Sequence, residues 1–391
     1  MARTSRSSPA PAAGLTADQV LRFRMARHGL TAAPGTVTDP GDAPILNLGV
    51  QDTGPDGAAW ALRVRGLRAR LTDDPRGPFA LAWTLRGAPH AYRRDELGQV
   101  RRTVSPFSEA DAGKRIFDAA APLRRAGIAV LDALDRVAGE MRDIATGPIV
   151  KGEMSAELTR RLPEPYLREC RPCQAIHTYE QPFRLAALFA GLELVPGTSP
   201  PVLRPIADWP SSDVPGPMRE PDGASSASIH LQPIRVYLSL FGTGTMQEVA
   251  AYLDAPVADV RANWPDDAVP VTVDEAATFA LAGNLAALTG GEESGVVRII
   301  GPYDPFLQAR DRHLLAASAT ERKALFPVLG RPGAVVRDGR VLALWRPTTA
   351  KGHLRLRLTE WVPLTRADRD VAAEQATALA DFRGVTFDGF A

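Results

Sequence analysis

Apolar residues recur at helical spacing in several stretches of the chain, each bounded by a capping residue, a glycine or a proline. The first stretch covers residues 15–30, where Thr16 is a candidate N-cap, Gln19 completes a capping box and Gly29 suits the C-terminal end. The same spacing predicts further helices over residues 58–68, 123–144, 181–191 and 366–382. Short apolar runs over residues 45–50 and 81–85 are strand-like.

Two parts of the chain have a helix, a short break and a second helix, which is the frame of a helix-turn-helix. In the first, Pro148 ends one helix and another opens at residues 151–155, with Ser155 as a candidate cap. In the second, Thr245 and Glu248 form a capping box. There we predict helices over residues 233–241, 246–253 and 257–264, the last in the recognition position, and a wing strand over 269–273. This second pattern indicates a winged helix.

The last hundred residues change character. Short β runs cover residues 296–300, 334–336, 340–346 and 354–358, and Asp338-Gly339 between two of them is a hairpin signal. A small β-barrel or sandwich fits this pattern, with the helix over residues 366–382 closing it.

These patterns together predict an α+β chain that is mainly helical, with tandem winged-helix (helix-turn-helix) modules and a C-terminal β-barrel. A Pro-, Ser- and Asp-rich stretch over residues 200–228 predicts a domain boundary. We expect a disordered tail (1–14), an N-terminal segment (15–110), a winged-helix region (111–230), a winged helix (231–290) and the β-barrel with its closing helix (291–391).

Composition places the chain among globular proteins with ample apolar material for more than one core. Of the 391 residues, 45% are hydrophobic and 23% charged, and no run approaches the roughly 20 apolar residues of a membrane helix. The tail lacks the apolar run of a signal peptide. Two cysteines are too few for a secreted disulfide scaffold, so we expect a cytoplasmic protein.

Charge is distributed unevenly, although the net charge is only +1. Between residues 321 and 357 the only acids are Glu321 and Asp338, whereas nine residues are basic: Arg322, Lys323, Arg331, Arg337, Arg340, Arg346, Lys351, Arg355 and Arg357. A segment of one sign is what phosphate binding requires. A solvated strand face is the alternative explanation.

Several short motifs, taken in their order along the chain, resemble one known family. They are GVQDTG (49–54), LRGAPH (85–90), VKGEMS (150–155), CRPCQAIHTYEQPFRLAAL (170–188), GPYDPFLQARDR (301–312) and DGRVLALWR (338–346). The chain resembles the AlkZ-like winged-helix DNA glycosylases from about residue 15 to residue 366.

The resemblance implies tandem winged helices in a C-shape with a β-barrel closing the channel, and monofunctional removal of alkylated purines. Some members unhook interstrand crosslinks or excise bulky natural-product adducts. The family's catalytic signature is glutamine, an apolar residue, then glutamine or aspartate. The matching residues are Gln51, Asp52 and Thr53. The middle residue is therefore an acid here, and the last carries a hydroxyl.

The triplet has groups suited to breaking an N-glycosidic bond. An N7-alkylated guanine is already a good leaving group, so the enzyme must stabilise an oxocarbenium-like sugar and aim a water at its anomeric carbon. Gln51 offers an amide oxygen, Asp52 a carboxylate and Thr53 a hydroxyl. Alternatively, Asp52 or Thr53 only caps the helix that starts near residue 58.

Other polar residues are candidates for contacts with DNA. Arg86 and His90 follow a buried strand, Lys151, Arg171 and His177 belong to the first helix-turn-helix region, and Arg337, Arg340 and Arg346 lie in the basic C-terminal segment. Each of these residues could also simply face solvent or, for the histidines, be satisfied within the protein.

Cys170 and Cys173 with His177 form only half of a metal motif, because no second pair of cysteines exists and a structural zinc takes four ligands. We therefore expect no metal and no cofactor, and a packing role for the thiols.

Two classes of function remain: a DNA glycosylase acting on alkylated or bulky N7-guanine adducts, in repair or in self-resistance to an alkylating natural product, and a winged-helix transcriptional regulator without catalysis. A degenerate relative that shields adducts is a third option. Several non-identical helix-turn-helix frames in one chain favour the enzyme, since regulators usually dimerise through one copy. We expect a nucleoid-associated monomer that binds double-stranded DNA and no membrane.

Overall fold

A computed structural model describes residues 13–67, 71–207, 209 and 229–391. Residues 1–12 of the predicted tail and most of the predicted boundary over 200–228 lie outside this set. The fold is 45% helical and 22% strand, which confirms a mixed class with more helix than strand. Within the described ranges, no helix combines the length and apolar character needed to cross a bilayer.

The N-terminal part begins with a strand where the sequence analysis placed the end of the tail. Its elements are β1 (Ala13–Leu15), α1 (Ala17–Arg27), β2 (Val50–Gln51), α2 (Gly57–Arg63), β3 (Phe79–Trp83), β4 (Pro89–Arg93) and α3 (Leu97–Val104). The capping box of Thr16 and Gln19 is confirmed. Strand β1 places Ala13 and Gly14 in a sheet, because it pairs with β10 (residues 268–273), Ala13 with Val271 and Gly14 with Thr272.

The second part departs from the predicted helix bounds at two places. Its elements are α4 (Glu109–Arg115), α5 (Ala120–Arg125), α6 (Val130–Ile144), β5 (Ile149–Val150), α7 (Lys151–Arg161), β6 (Leu167–Cys170), β7 (Ala175–Thr178), α8 (Glu180–Phe189), β8 (Leu192–Leu194) and β9 (Val202–Pro205). The predicted helix over 123–144 is broken at Gly127, whose φ of +71° ends α5. Ser155 lies inside α7 rather than at its cap, since α7 begins at Lys151.

The third part follows the predicted three helices and wing closely. Its elements are α9 (Pro233–Phe241), α10 (Met246–Leu253), α11 (Val257–Ala262), β10 (Ala268–Val273), β11 (Ala276–Leu281) and α12 (Leu285–Thr289). Thr245 and Glu248 form the expected capping box at the start of α10. The wing strand is half of an antiparallel hairpin, β10–β11.

One strand-pairing pattern occurs three times along the chain. A short strand that precedes a helix pairs with the second strand of a later hairpin: β2 with β4, β5 with β9, and Gly244 with Phe279 of β11. The first two hairpins meet edge to edge through Leu81 and Leu194. The result is one six-stranded sheet of order β2-β4-β3-β8-β9-β5. From either edge the order is a short strand, then the second and then the first strand of a hairpin.

The C-terminal part is a curled half-barrel sheet, where the sequence predicted a small β-barrel or sandwich. Its elements are β12 (Val297–Ile300), α13 (Arg312–Leu315), α14 (Ala319–Leu325), β13 (Gly333–Arg337), β14 (Arg340–Ala350), β15 (His353–Glu360), α15 (Arg366–Phe382) and β16 (Thr386–Phe390). The strands follow the order β12-β13-β14-β15-β16, so β12 and β16 remain edges. Helix α15 packs across the sheet and contacts both edge strands.

The N-terminal part is fastened to the half-barrel by one aromatic side chain and three buried ion pairs. Trp60 of α2 packs among the half-barrel's own core residues, and its Nε1 donates to the carbonyl oxygen of Ile299 at 3.3 Å. The ion pairs are Arg24–Asp311, Arg65–Asp304 and Arg383–Asp56. Helix α2 is therefore tied to the C-terminal part along its whole length, through Asp56 before it, Trp60 within it and Arg65 after it, while β2 is held by the six-stranded sheet. The GVQDTG segment spans the junction.

Candidate active site

Gln51 ends the outermost strand of the six-stranded sheet and lies directly opposite His90 of β4. The Asp52 amide donates to the carbonyl oxygen of Pro89 at 2.8 Å. Residues 52 and 89 are thus a hydrogen-bonded pair, so Gln51 and His90 form the neighbouring non-hydrogen-bonded pair, where side chains come closest. Gln51 is half-buried and shares a face with the buried His90.

The amide of Gln51 is oriented by Thr53. Gln51 Nε2 donates to Thr53 Oγ1 at 3.0 Å. This contact uses the nitrogen of the amide, and within the described chain the carbonyl oxygen Oε1 has no hydrogen-bond partner. The side chain of Gln51 therefore offers an acceptor that is fixed in direction and open to a water or a ligand.

Asp52 caps helix α2, as one of the two alternatives foresaw. Its Oδ1 accepts from the Ala58 amide at 2.9 Å. The approach is possible because residue 57 is glycine: its φ is +42°, and an added Cβ would stand 2.0 Å from Asp52 Oδ1. Burial raises the pKa of the Asp52 carboxyl, and the Ala58 hydrogen bond only partly opposes this shift. Asp52 is therefore a cap whose proton affinity is increased.

His90, which lies opposite Gln51, is part of a buried polar network. His90 Nδ1 lies 2.9 Å from the carbonyl oxygen of Ala88 and 3.1 Å from Thr84 Oγ1, which contacts the Tyr92 hydroxyl at 2.9 Å. Because a carbonyl only accepts, Nδ1 carries the proton and the ring is oriented. Burial, then repulsion from Arg86, lowers the pKa of His90 to about 3, so the ring is neutral.

The position of His90 corrects its assignment as a DNA contact. Its side chain is 2% exposed and lies beneath the sheet surface, where it can meet neither phosphate nor base. Gly49 shapes the same layer, because its φ is +79° and an added Cβ would stand 2.4 Å from Tyr92 Cζ. The GVQDTG turn thus uses its first glycine to fit over Tyr92.

Four arginines form a cluster, named here the arginine cluster, on the Arg86 side of this network: Arg86, Arg310, Arg312 and Arg331. Arg86 stands in a left-handed turn with φ +58°, donates to the carbonyl oxygen of Tyr252 at 2.5 Å and lies over the Tyr252 ring. Arg331 lies over Tyr303, 5.4 Å from the ring centroid, and Arg312 lies 4.4 Å from that of Phe326.

The four guanidinium groups repel one another. Burial, then the charges of Arg86 and Arg312, lowers the pKa of Arg310 to about 10. Burial also lowers the pKa of Arg312, with Arg331 and Arg86 adding to the effect, and the pKa of Arg331, with Arg86 contributing. Each of the three lowered pKa values is affected by Arg86, whose charge also acts on His90, so Arg86 connects the two groups of side chains electrostatically.

Within the described chain, the arginine cluster forms no ion pair with a carboxylate. The Nε atoms of Arg310 and Arg312 are buried without a hydrogen-bond partner. The neighbouring acid, Asp311, is already occupied by Arg24. Four convergent positive charges without a counter-charge can bind phosphate groups. The sequence analysis did not predict Arg310 and Arg312 as site residues. The signal in the sequence is the QARDR segment, in which these two arginines flank Asp311, the acid that pairs with Arg24.

The three arginines predicted from the basic segment have local partners instead. Arg337 donates to both carboxylate oxygens of Asp368 at 2.8 Å. Arg340 pairs with Asp18, and Arg346 donates to the carbonyl oxygen of Gly330. They lie on β13 and β14 of the half-barrel and do not join the arginine cluster through any contact of the described residues.

The candidates from the first helix-turn-helix region lie around one small hairpin. Lys151 contacts both carboxylate oxygens of Glu180, at 2.8 and 2.9 Å. Arg171 is exposed in the turn of the β6–β7 hairpin, and His177 is on β7. There His177 comes together with Cys170 and Cys173. Contacts from Cys173, then His177, lower the pKa of Cys170 to about 7.

The fold is similar to that of an enzyme that acts on DNA bases. Over 96% of its length the chain is similar to the structure of the Streptomyces sahachiroi DNA glycosylase AlkZ, of which it covers 99%, with a TM-score of 0.69 and 18% sequence identity. No curated protein sequence matches the chain.

The family follows from the sequence itself. The model of the AlkZ-like DNA glycosylase family matches residues 45–382, which include the GVQDTG turn, the sheet and the half-barrel. The chain belongs to this family and is a DNA glycosylase. Both the predicted resemblance and the predicted enzyme class are thereby confirmed.

Proposed function

We propose that this glycosylase hydrolyses the N-glycosidic bond of alkylated or bulky N7-guanine adducts in double-stranded DNA. The observation that carries the proposal is the acceptor oxygen of Gln51, whose amide is oriented by Thr53 at the edge of the sheet. A cationic N7-alkylguanine leaves as a neutral base, so the site needs to stabilise the sugar and direct water more than to supply an acid.

In the proposed mechanism, Gln51 Oε1 accepts a hydrogen bond from the attacking water and aims it at the anomeric carbon. The bond from that carbon to N9 breaks, its electron pair stays on the departing base, and the water oxygen forms the new bond. The water must also lose a proton. Asp52 is the only carboxylate of the triplet and burial raises its pKa, so it is proposed to take that proton after its side chain turns from the Ala58 amide toward the side of Gln51.

The arginine cluster is proposed to hold the DNA backbone beside the lesion. Arginine forms bidentate contacts with phosphate, and the cluster is already desolvated, so binding relieves the mutual repulsion of its charges. Arg86 links the cluster to the triplet, since its charge acts on His90 of β4, which lies opposite Gln51. The cluster replaces the predicted trio Arg337, Arg340 and Arg346 as the main phosphate contact.

We further propose that the three repeated units are winged-helix modules, with tandem modules lining a C-shaped channel. Each unit has the order short strand, helix, hairpin, and the third also has the three-helix frame of Pro233–Phe241, Met246–Leu253 and Val257–Ala262. Helices and wings of this kind dock into DNA grooves. DNA as the partner makes the nucleoid the expected location, and a monomer remains the expected state.

An experiment on the substrate tests the proposal directly. The full chain is incubated with duplexes carrying one N7-methylguanine or one bulky N7-guanine adduct, and alkali then cleaves the strand at abasic sites. We expect strand breaks at the lesion and none in the undamaged duplex. Tight binding to both adducts without any break would support the non-catalytic alternative, for which the capping role of Asp52 is the favouring observation.

A further inference from the structure

The β6–β7 hairpin carries a cluster of three metal-ligating side chains that the glycosylase chemistry does not use. Cys170 is the last residue of β6, Cys173 lies in the turn, and His177 is on β7. One ligand atom from each lies within 4.8 Å of the other two. Around a tetrahedral zinc with metal–ligand bonds of about 2.0–2.3 Å, ligand atoms stand roughly 3.5–3.8 Å apart. Closing the cluster therefore needs side-chain adjustments of about 1 Å.

The histidine is already oriented for metal binding. His177 Nδ1 lies 2.8 Å from the carbonyl oxygen of Thr178, so Nδ1 donates its proton there and the unprotonated Nε2 has a free lone pair. Histidines that bind metals almost always donate their other ring nitrogen to a carbonyl or carboxylate, which fixes both tautomer and direction. This hydrogen bond is independent of the cysteines and points to the same ligand.

Two cationic side chains, Arg168 and Lys151, lie in the neighbourhood of Cys173. Two thiolates carry a charge of −2 and a neutral imidazole carries none, so together they balance one divalent metal ion. The filled site would then have no net charge.

A metal ion would stabilise the β6–β7 hairpin. Its two strands form a sheet of their own, separate from the six-stranded sheet, and an isolated two-stranded hairpin is at best marginally stable. Residues 171–176 are all exposed, including Ile176 at 62%. The base of the hairpin is held by the packing of Tyr166, Leu167 and Tyr179 on the core and by the contact of β7 with α7, whereas Cys170 and Cys173 lie at its turn.

We propose that Cys170, Cys173 and His177 bind one Zn²⁺ ion, with a fourth position open to water, and that this ion holds the β6–β7 hairpin in shape. Three protein ligands with one exchangeable position is an established zinc arrangement, and Cys₂His is among its ligand sets. The absence of a second pair of cysteines, which spoke against a metal in the sequence, excludes only a closed four-ligand site.

The test uses the full chain, purified under reducing conditions and stripped of metal with a chelator. We expect it to take up one equivalent of Zn²⁺ and, with Co²⁺ in its place, to show the thiolate charge-transfer and strong visible bands of a tetrahedral site. Cys173→Ser and His177→Gln should each weaken metal binding at least tenfold. His313→Gln, an exposed histidine outside the hairpin, is the matched control and should bind as the parent does.

A second measurement separates zinc from oxidation and does not depend on catalysis. Zn²⁺ should slow amide hydrogen exchange across residues 167–178 in the parent chain and in His313→Gln, but not in Cys173→Ser. The proposal is overturned if Cys173→Ser retains one tightly bound equivalent. It is also overturned if the parent binds no zinc and mild oxidation instead joins the two sulfurs, with the loss of two hydrogens from the mass.

Discussion

In the proposed mechanism Gln51 offers one side-chain atom to the attacking water, and Thr53 determines which atom that is. The hydrogen bond to Thr53 occupies the nitrogen, so Oε1 remains as the acceptor. We expect Gln51→Ala to lower the rate of excision at least tenfold, which corresponds to about 1.4 kcal/mol of transition-state stabilisation. Single-turnover excision of N7-methylguanine from a duplex measures this rate.

Binding provides the control for this variant. One neutral side chain contributes little against many phosphate contacts, so affinity for the duplex should stay within twofold of the parent. Thr53→Val, which keeps the shape but removes the acceptor for Nε2, should give a smaller loss of excision than Gln51→Ala. A parent-like rate in Gln51→Ala would remove Gln51 from the mechanism.

Asp52→Asn separates the two roles of the carboxylate. Asn keeps an oxygen that can accept from Ala58, so the cap should survive. Burial holds the pKa of Asp52 above its unfolded value, so the folded carboxyl keeps its proton to higher pH and its ionisation costs stability as pH rises through that interval. At neutral pH the variant should be at least as stable as the parent, while excision falls tenfold or more.

The pH profile completes the prediction for Asp52. If Asp52 takes the proton, kcat/KM of the parent should decrease as pH falls through the raised pKa, and the residual activity of Asp52→Asn should lack that limb. Denaturant unfolding at pH 7 measures stability alongside. Parent-like excision at every pH would leave Asp52 as a cap alone.

At the scale of elements, the arginine cluster draws on three separate segments of the chain. Arg86 comes from the turn between β3 and β4, Arg310 and Arg312 flank the start of α13, and Arg331 precedes β13. Replacing Arg310 and Arg331 together by Ala should weaken duplex binding between about 50 and 200 mM salt and reduce the salt slope by about two, one for each lost phosphate contact. Fluorescence anisotropy across that salt range measures both quantities.

The matched control removes two arginines that already have partners. Arg337 and Arg340 pair with Asp368 and Asp18, so the double replacement by Ala should change the salt slope much less. Equal effects of the two double variants would mean that the half-barrel face, and not the arginine cluster, carries the phosphate contacts.

Elements with local signals were predicted well, and those set by distant contacts were not. The capping boxes at Thr16 and Thr245 fix helix starts within four residues of sequence, and both are present. The open half-barrel depends instead on how β15 pairs with β16 across α15, which no local pattern encodes. For the same reason, the sequence indicated Gln51, Asp52 and Thr53 as a site but could not reveal that Arg310 and Arg312 join Arg86.

At the scale of the whole molecule, the GVQDTG turn lies between the six-stranded sheet and the C-terminal half-barrel. Arg383, directly after α15, forms a buried ion pair with Asp56, four residues beyond Asp52. Removing one partner of a buried pair leaves the other charge uncompensated, so Arg383→Ala should cost about 3–5 kcal/mol in the free energy of unfolding. Excision should fall as well, because the turn loses one of its two anchors.

A surface pair on the same helix controls for the loss of an arginine. Arg366 is 97% exposed and pairs loosely with Asp370, so Arg366→Ala should change the free energy of unfolding by less than about 1 kcal/mol. Denaturant unfolding and excision are measured on both variants. An Arg383→Ala variant as stable and active as Arg366→Ala would show that the half-barrel does not hold the turn.

Strand β2 is only two residues long, and its register against β4 is set by Val50 with Ala91 and Gln51 with His90. Because successive side chains of a strand point to opposite faces, a slip of one residue would put Asp52 opposite His90 and turn Gln51 away. A slip in the opposite direction would put Val50 there. The group that faces His90 is therefore set by the backbone register of a two-residue strand as well as by the identity of the residues.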